Sequence, residues 1–425
     1  MKISHIIGII GGAAAVLAGC AKGAGLSAGE QGAPIEFGTY LGRDAQTKTG
    51  FDGDGSTERF GGTVMTLTEL QKTGFGVSAI YTGQQNWVAW QKSESEVSPN
   101  FMFKQKVYST GDGEWAYEPI KYWPTMQNDK ISFFAYAPFA TDSNHYGFSR
   151  SDVWTSLHYS LKFTIQDKAD EMVDFVAAAV MDRTYDGNKV EFRFEHALTR
   201  LLFSAKTSED MDPNSHVVIT GARLVKGACY YKQGNYSFTK KRNVSDNNDS
   251  YWSPTKEKTQ DPISSDYDLA PILAASTGVT IGGKEYAGDA SGKAVSALEL
   301  TSTTPVAIFK KKGTGEAAPQ CYLFLIPTSG DASAPGIPAN TAAVAFDYDI
   351  VTKDPSLAAG YSCTSATKTV YLPAGIMQKG KAYNVTFTFN VDRIEVSADV
   401  EDWGTADEDS ETEVPFTPDD VTVGE

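Results

Sequence analysis

Few residues of this sequence have the types and the spacing that catalysis or metal binding requires. Behind the first twenty residues there are four histidines, and none stands at metal-ligand spacing from another: His145, His158, His196 and His216. His196 falls on an apolar strand face, which favours a hydrogen-bonded core residue over a catalytic base. Carboxylates are abundant, but nothing in their placement indicates a glycosidase pair. The sequence therefore predicts no enzyme, no metal site and no cofactor.

One cysteine lies where a covalent modification is expected. The N-terminal stretch "MKISHIIGIIGGAAAVLAGC" has one early lysine, an apolar run and small residues before Cys20. The run is too short to span a bilayer, which predicts a signal peptide over residues 1–19. The segment "LAGC" resembles the lipobox of bacterial lipoproteins, which implies that Cys20 is acylated, for example with palmitate, and anchors the chain to a membrane. An ordinary secretory signal that contains a cysteine by chance is the alternative.

The remaining cysteines give no framework for the fold. They are Cys229, Cys321 and Cys363. Three thiols form at most one disulfide, so one is left over. Whether two of them pair stays open at this point.

The net charge of the chain argues against a nucleic-acid partner and against electrostatic binding to an anionic membrane. The net charge is −16 and the isoelectric point is about 4.8. A nucleic-acid ligand needs a basic face, and simple electrostatic docking on anionic lipid needs one too. We therefore expect no nucleic-acid partner, and a membrane contact only through the lipid anchor.

Strand patterns follow one another along most of the chain and predict an all-β protein. Aromatic residues make up 12 % of the sequence, with 39 Gly and 18 Pro, a mixture that favours strands and turns. The run at 189–205 and the run "YNVTFTFNV" at 383–391 alternate apolar and polar residues, which is typical of a sheet with one buried face. The length fits two β-sandwich domains, residues 35–188 and 189–404, after a flexible tether at 20–34. The acidic segment 405–425 is predicted to be a solvated tail.

The first strand pattern stands between the tether and a basic residue. In "PIEFGTYLGR" the apolar residues Ile35, Phe37 and Leu41 fall on one strand face, and Arg43 follows them. A strand on a tether, followed by an exposed arginine, has the features of a removable segment.

Several local patterns together resemble the fimbrillins, the Mfa-like pilus subunits that build type V pili. They are "WAYEPIKYWP", "ISFFAYAP", "DFVAAAV", "FEHALTRLLFSA", "LFLIP", "GKAYNVTFTFNV" and "VEDWG", in this order over residues 35–404. The resemblance implies two transthyretin-like β-sandwich domains in tandem and no catalysis. It also implies an outer-membrane lipoprotein precursor that an arginine-specific protease cuts near its N-terminus. The first strand then leaves, and a strand from another pilus subunit fills the open groove.

For this chain the resemblance implies cleavage after Arg43, with Arg59 as the second choice. The alternative is that Arg43 is an ordinary surface residue and the first strand stays. In the family the donor strand is C-terminal, and "RIEVSADVEDW" has the required alternation in Ile394, Val396, Ala398 and Val400. If this strand donates, the chain is a stalk subunit. If this strand belongs to its own domain, only the acidic tail is left to donate. The tail is a poor donor, because its prolines lack the backbone N–H groups that pair in a sheet. A tip or accessory role is then favoured.

Two other functions fit a secreted β-sandwich protein. A surface glycan-binding lipoprotein of a nutrient-uptake system would need a platform of exposed aromatic residues, for which the candidates are Trp87, Trp90, Trp115 and Trp123. A secreted hydrolase would need a catalytic constellation that the sequence does not indicate. A tip subunit could itself bind a host protein or glycan.

Overall fold

The computed structural model describes most of the chain between residues 32 and 402. The residues described are 32–41, 64–93, 98–111, 113–141, 146–148, 153–155, 158–166, 172–225, 231–242, 249–254, 267–268, 274–275, 279–286, 295–301, 303–308, 322–327 and 336–402. Within these ranges strands predominate, which confirms the all-β prediction. No helix in these ranges is long and apolar enough to cross a membrane.

The elements before residue 200 are two short helices and the first ten complete strands. They are β1 (Phe37–Tyr40), α1 (Leu67–Thr73), β2 (Phe75–Gly83), α2 (Trp87–Ser93), β3 (Met102–Gly111), β4 (Glu114–Ala116), β5 (Lys130–Ala137), β6 (Val153–Thr155), β7 (His158–Thr164), β8 (Val176–Arg183), β9 (Val190–Arg193) and β10 (Glu195–His196).

The elements that follow are all strands. They are β11 (Thr199–Thr207), β12 (Ser215–Val225), β13 (Gln233–Arg242), β14 (Asp249–Pro254), β15 (Tyr267–Asp268), β16 (Ala274–Ala275), β17 (Val279–Ile281), β18 (Lys284–Tyr286), β19 (Val295–Ser296), β20 (Leu298–Leu300), β21 (Val306–Ala307), β22 (Leu323–Leu325), β23 (Ala343–Lys353), β24 (Tyr361–Tyr371), β25 (Lys381–Phe389) and β26 (Ile394–Asp402).

A six-stranded sheet with the order β10-β8-β5-β2-β3-β4 forms the centre of the first half. One of its faces lies on a cluster that we call the N-terminal core, which includes Phe75, Val77, Phe133 and Ala135. Ile80, Phe134 and Tyr136 point to the other face and join the larger main core. Because both faces are covered, β5 reads as a continuous apolar run and not as an alternating one. The two-stranded sheet β1-β9 contributes the residues that close the N-terminal core.

Two sheets of the second half face each other across the main core. One has the order β21-β11-β25-β26, with β22 also paired to β11, and the other has the order β15-β12-β23-β24, with β20 also paired to β12. Phe387 and Phe389 of β25 meet Phe346 of β23 at ring-centroid distances of 4.7 and 5.3 Å. These edge-on aromatic contacts join the two sheets into a sandwich.

A further sheet, β14-β13-β7-β6, draws strands from both halves of the chain. β7 pairs with β13 from Thr164 opposite Gln233 to Ser160 opposite Ser237. The side chains of both strands enter the main core. The domain boundary between residues 188 and 189 stays a prediction. The pairing of β7 with β13 joins strands from before and after this boundary in one sheet.

The structure differs from the sequence expectations at four places. The run 189–205 is three strands in different sheets, because the chain leaves β10 at the buried Ala197 and Leu198. Val391, expected in the core, is 63 % exposed because β25 ends at Phe389. The segment 240–266 is long and polar, a composition that favours a loop, but it contains β14. Helix α1 was also not expected; Thr66 caps its start and Gly74, at φ +70°, ends it.

Candidate functional site, the cleft that holds the first strand

The first strand runs parallel to β9 at the surface of the N-terminal core. The register places Phe37 opposite Val190 and Tyr40 opposite Arg193. At the two ends of this ladder Val190 N donates to Glu36 O and Phe194 N donates to Tyr40 O, both at 2.8 Å. This pairing confirms that residues 37–40 form a strand.

The other side of the first strand is bound by the segment between β4 and β5. Ile35 N donates to Lys121 O, and Trp123 N donates to Ala33 O, both at 2.9 Å. The hydroxyl of Tyr117 donates to Ile35 O at 2.9 Å, and burial raises the pKa of this phenol. Residues 33–41 therefore lie in a cleft with backbone partners on both edges.

The floor of the cleft is aromatic. The ring of Phe37 lies 5.1 Å from Tyr117, 5.4 Å from Phe192, 6.0 Å from Phe133 and 6.5 Å from Phe75. Phe37 is only 2 % exposed, so its ring is enclosed on all sides by side chains of other segments. The four rings thus form a box that Phe37 fills.

The neighbours of Phe37 follow the predicted face. Ile35 is 2 % exposed, and Leu41 is partly buried against the same core. Each fully buried side chain of this size contributes roughly 1.5–3 kcal/mol. Thr39 lies on the same face between Phe37 and Leu41, and its Oγ1 accepts a hydrogen bond from Trp115 Nε1 at 3.1 Å.

Gly32 marks the point where the chain enters the cleft. A Cβ atom built on Gly32 would lie 1.9 Å from the backbone oxygen of Trp123. Such a contact is far closer than any side chain allows, so only glycine fits this approach.

Three predicted sites lie outside the residues that the structure describes. They are the lipidation site Cys20 and the processing sites Arg43 and Arg59. The described part of the first strand ends at Leu41, two residues before Arg43. Cleavage and acylation at these positions stay predictions.

The predicted donor strand is β26, and it pairs with β25 of its own chain. The antiparallel ladder has nine residue pairs, from Lys381 opposite Asp402 to Phe389 opposite Ile394. Ala398 is 6 % exposed, and the alternating apolar residues Ile394, Val396 and Val400 pack on the main core. Whether β26 is ever donated to another subunit stays a prediction.

The candidate aromatic platform is not formed by the four tryptophans considered for it. Trp87 and Trp123 are each 3 % exposed, and Trp90 and Trp115 are partly buried against the two cores. Trp87 and Trp90 stack on each other at 5.8 Å instead of facing solvent side by side. These four side chains therefore offer no exposed stacking surface for a sugar ring.

His196 is a hydrogen-bonded core residue, as predicted. It is 5 % exposed, and its Nδ1 lies 2.8 Å from Oδ2 of the buried Asp174, which also accepts a hydrogen bond from Met65 N. Cys363 is exposed and carries a free thiol 3.3 Å from Lys284 Nζ, whereas Cys229 and Cys321 lie outside the described residues. Among the residues described, no group of three or more acidic, histidine and cysteine side chains could hold a metal ion.

The sequence reading missed the walls of the cleft. The run at 114–124 is typical of one long strand, and nothing in its pattern indicates that Tyr117, Lys121 and Trp123 bind the first strand. The alternation of Val190, Phe192 and Phe194 was visible, but their parallel partner was not. A parallel pairing between segments about 150 residues apart leaves no local signal, which is why pattern alone did not find it.

The chain matches known proteins over most of its length. The family model described as fimbrillin-like matches residues 77–403. The fimbrium subunit Fim1C of Phocaeicola vulgatus is 26 % identical over 402 residues, which cover 88 % of this chain and 93 % of that protein. The crystal structure of a fimbrial protein from Bacteroides vulgatus ATCC 8482 has a TM-score of 0.64 and 22 % identity, and the match covers 87 % of this chain and 99 % of that one. The chain therefore belongs to the fimbrillin-like family.

Proposed function

We propose that this protein is a subunit of a bacterial surface fimbria and that it receives a strand from another subunit. An arginine-specific protease removes the first strand by cutting after Arg43 or, failing that, after Arg59. A strand of a neighbouring pilus subunit then occupies the cleft by donor-strand exchange. The role is structural and not catalytic, and it places the protein at the cell surface.

The observation that carries the proposal is the enclosure of Phe37. Four aromatic rings from β2, β5, β9 and Tyr117 surround it, and it is 2 % exposed. If the first strand left, these rings and the backbone groups of Val190 and Lys121 would lose their partners. An open edge above an exposed apolar pocket is a strong template for a foreign strand.

The cleft also defines what a replacement strand must offer. It needs an aromatic side chain for the box and an aliphatic one two residues earlier. It also needs a backbone N–H in the position of residue 35 and backbone C=O groups in the positions of residues 33, 35, 36 and 40. The same pattern repeated from subunit to subunit, each filling the next, generates a fibre.

A tip or accessory position agrees better with β26 than a stalk position does. Nine residue pairs and the burial of Ala398 tie β26 to its own sandwich. A subunit that receives a strand and keeps its own last strand would end a fibre. At such a position it contributes to adhesion by binding a host protein or glycan.

Before processing, the precursor is an outer-membrane lipoprotein held through acylated Cys20. The predicted tether at 20–34 separates this anchor from the first strand. Cleavage at Arg43 or Arg59 would separate the folded chain from its lipid and from the first strand in a single step. The alternative role, a glycan-binding lipoprotein, has no support in the position of the four tryptophans.

The first experiment is N-terminal sequencing of the protein taken from the cell surface and from sheared fibres. We expect the chain to start at Asp44 or at Phe60. Acylated Cys20 on all surface material would mean that the first strand is kept, and the proposal would then be wrong. An Arg43→Gln, Arg59→Gln double variant provides the matched control, because it should stay lipidated and absent from fibres.

A further inference from the structure

The direction of the first strand determines where a neighbouring subunit must lie. Parallel and antiparallel ladders space their donors and acceptors differently, so a strand that keeps the bonds of β1 to β9 must run the same way. Residues that precede this strand then leave the cleft at the Pro34 end. Residues that follow it leave at the Leu41 end. The body of the donating subunit is therefore confined to one of two places.

Exposed apolar side chains gather at the Pro34 end. Pro34 forms a bridge with Tyr122, whose side chain is 40 % exposed. Ile120, two residues earlier and so on the same side of this extended segment, is 53 % exposed, and Met126 is 65 % exposed. Tyr185 is 49 % exposed, and its ring lies 6.0 Å from the buried Trp123. We call these residues, Ile120, Tyr122, Met126 and Tyr185, the Tyr122 patch.

The Leu41 end has a different surface. Tyr40 is the exposed aromatic residue there, and its partner in the ladder is the charged Arg193. Four exposed apolar side chains lie at the Pro34 end and Tyr40 at the Leu41 end, so among the described residues the Pro34 end offers the larger apolar docking surface.

We infer that the Tyr122 patch is the surface against which the folded body of the donating subunit rests while its strand fills the cleft. This inference rests on the proposed function, because it takes strand exchange at the cleft as given. The patch is continuous with the cleft through the Pro34–Tyr122 bridge, so one partner contacts both. The strand supplies most of the binding energy, and the patch orients one subunit on the next.

A membrane is the other surface that could meet this patch. The described chain begins at Gly32, beside Trp123, so the tether to Cys20 leaves from the same place. The net charge of −16 disfavours contact with an anionic lipid surface, whereas it does not oppose an apolar protein contact. The subunit body is therefore the occupant we assign, and a lipid contact is an outcome of the test.

The test compares two double variants of the full chain in the bacterium that makes the fibres. The patch variant carries Ile120→Ser and Met126→Ser, two patch residues that are 53 % and 65 % exposed and leave the Pro34–Tyr122 bridge intact. The control variant carries Val391→Ser and Leu357→Ser, two apolar residues that are 63 % and 43 % exposed in the other half of the chain. Circular dichroism and the melting temperature establish that both variants are folded. N-terminal sequencing establishes that both have lost the first strand.

We expect the fraction of patch variant in sheared fibres to fall at least tenfold, and that of the control to stay within twofold of wild type. A synthetic peptide of residues 33–41 has no body, so the processed patch variant should bind it within twofold of wild-type affinity. Equal incorporation of both variants would overturn the inference. So would a patch variant that only loses membrane association of the precursor. If wild-type protein neither loses its first strand nor enters fibres, the proposed function itself is wrong. That result differs from the two outcomes that overturn only the inference about the patch.

Discussion

Replacing Phe37 by alanine should loosen the first strand far more than any other single change on it. The substitution removes the ring that four aromatic neighbours enclose and leaves a cavity in the N-terminal core. Buried Phe→Ala substitutions cost about 3–5 kcal/mol, since the lost transfer energy and the cavity add. Part of this reflects edge-on ring contacts, each about 0.5–1.5 kcal/mol beyond burial.

Tyr40→Ala is the matched control on the same strand. Tyr40 is 41 % exposed, and only its backbone oxygen is used by Phe194. Surface substitutions of this kind change stability by less than about 0.5 kcal/mol. Both variants therefore replace an aromatic residue of the same strand, and they differ in whether its side chain is buried.

Two measurements check this expectation. Urea unfolding of the intact precursor should give a loss of about 3–5 kcal/mol for Phe37→Ala and almost none for Tyr40→Ala. The same substitutions can be made in the peptide of residues 33–41 and tested on the processed protein. Phe37→Ala should weaken binding of the peptide more than about a hundredfold and Tyr40→Ala less than about threefold, since about 1.4 kcal/mol corresponds to a factor of ten. If both peptides bind alike, the aromatic box is not what holds the strand and the reasoning is wrong.

Three further predictions concern contacts away from the ring of Phe37. Gly32→Ala should loosen the entry of the first strand, because its Cβ would meet Trp123 O at 1.9 Å. We expect faster hydrogen exchange at Ile35 N–H, and unchanged exchange there would contradict the close approach. Asp174→Ala removes the buried hydrogen-bond partner of His196 Nδ1 and Met65 N and should cost about 1–3 kcal/mol in urea. Glu195→Gln in the exposed pair with Lys379 should cost about 0–1 kcal/mol, and similar losses for the two variants would contradict this. Burial alone would raise the pKa of Asp349, but hydrogen bonds from Lys284, Ser365 and Tyr286 lower it below its ordinary value of 3.8. The ionised carboxylate therefore stabilises the fold fully above pH 3.8, and this stabilisation is lost as the pH falls through the pKa of Asp349 in the folded protein. The difference in unfolding free energy between wild type and Asp349→Asn, about 1–3 kcal/mol at pH 7, should therefore shrink in acid; a difference that does not change with pH would refute the assignment.

Strands with one covered face could be predicted from the sequence, and those with two covered faces only in part. In β25 the buried residues Tyr383, Val385 and Phe387 alternate with polar ones, and the predicted period is the observed one. In β11 nearly every residue is buried, so the alternation of residues 190–198 does not continue there, and the pattern alone does not show that the run 189–205 forms three strands. Burial on both faces erases the signal that a local pattern depends on.

The candidate site shows the same limit at larger scale. Ile35, Phe37 and Leu41 were found because a strand's own alternation records which side faces the core. The partners that make the cleft come from residues 75, 117, 133 and 192, and their meeting depends on the topology of the whole first half.

The proposed removal of the first strand requires that the strand is stable in place and that one cut separates it from the later strands. The first strand meets both conditions in physical terms. Its contacts are dense, with Phe37 enclosed and hydrogen bonds to Lys121, Val190 and Phe194, so the precursor has a closed core. Its one covalent link to the later strands is the segment that contains Arg43 and Arg59, so a single cut there turns an intramolecular strand into a bound peptide. Cutting removes the effective concentration that held the strand, and a partner that offers the same side chains together with a body contact can then displace it.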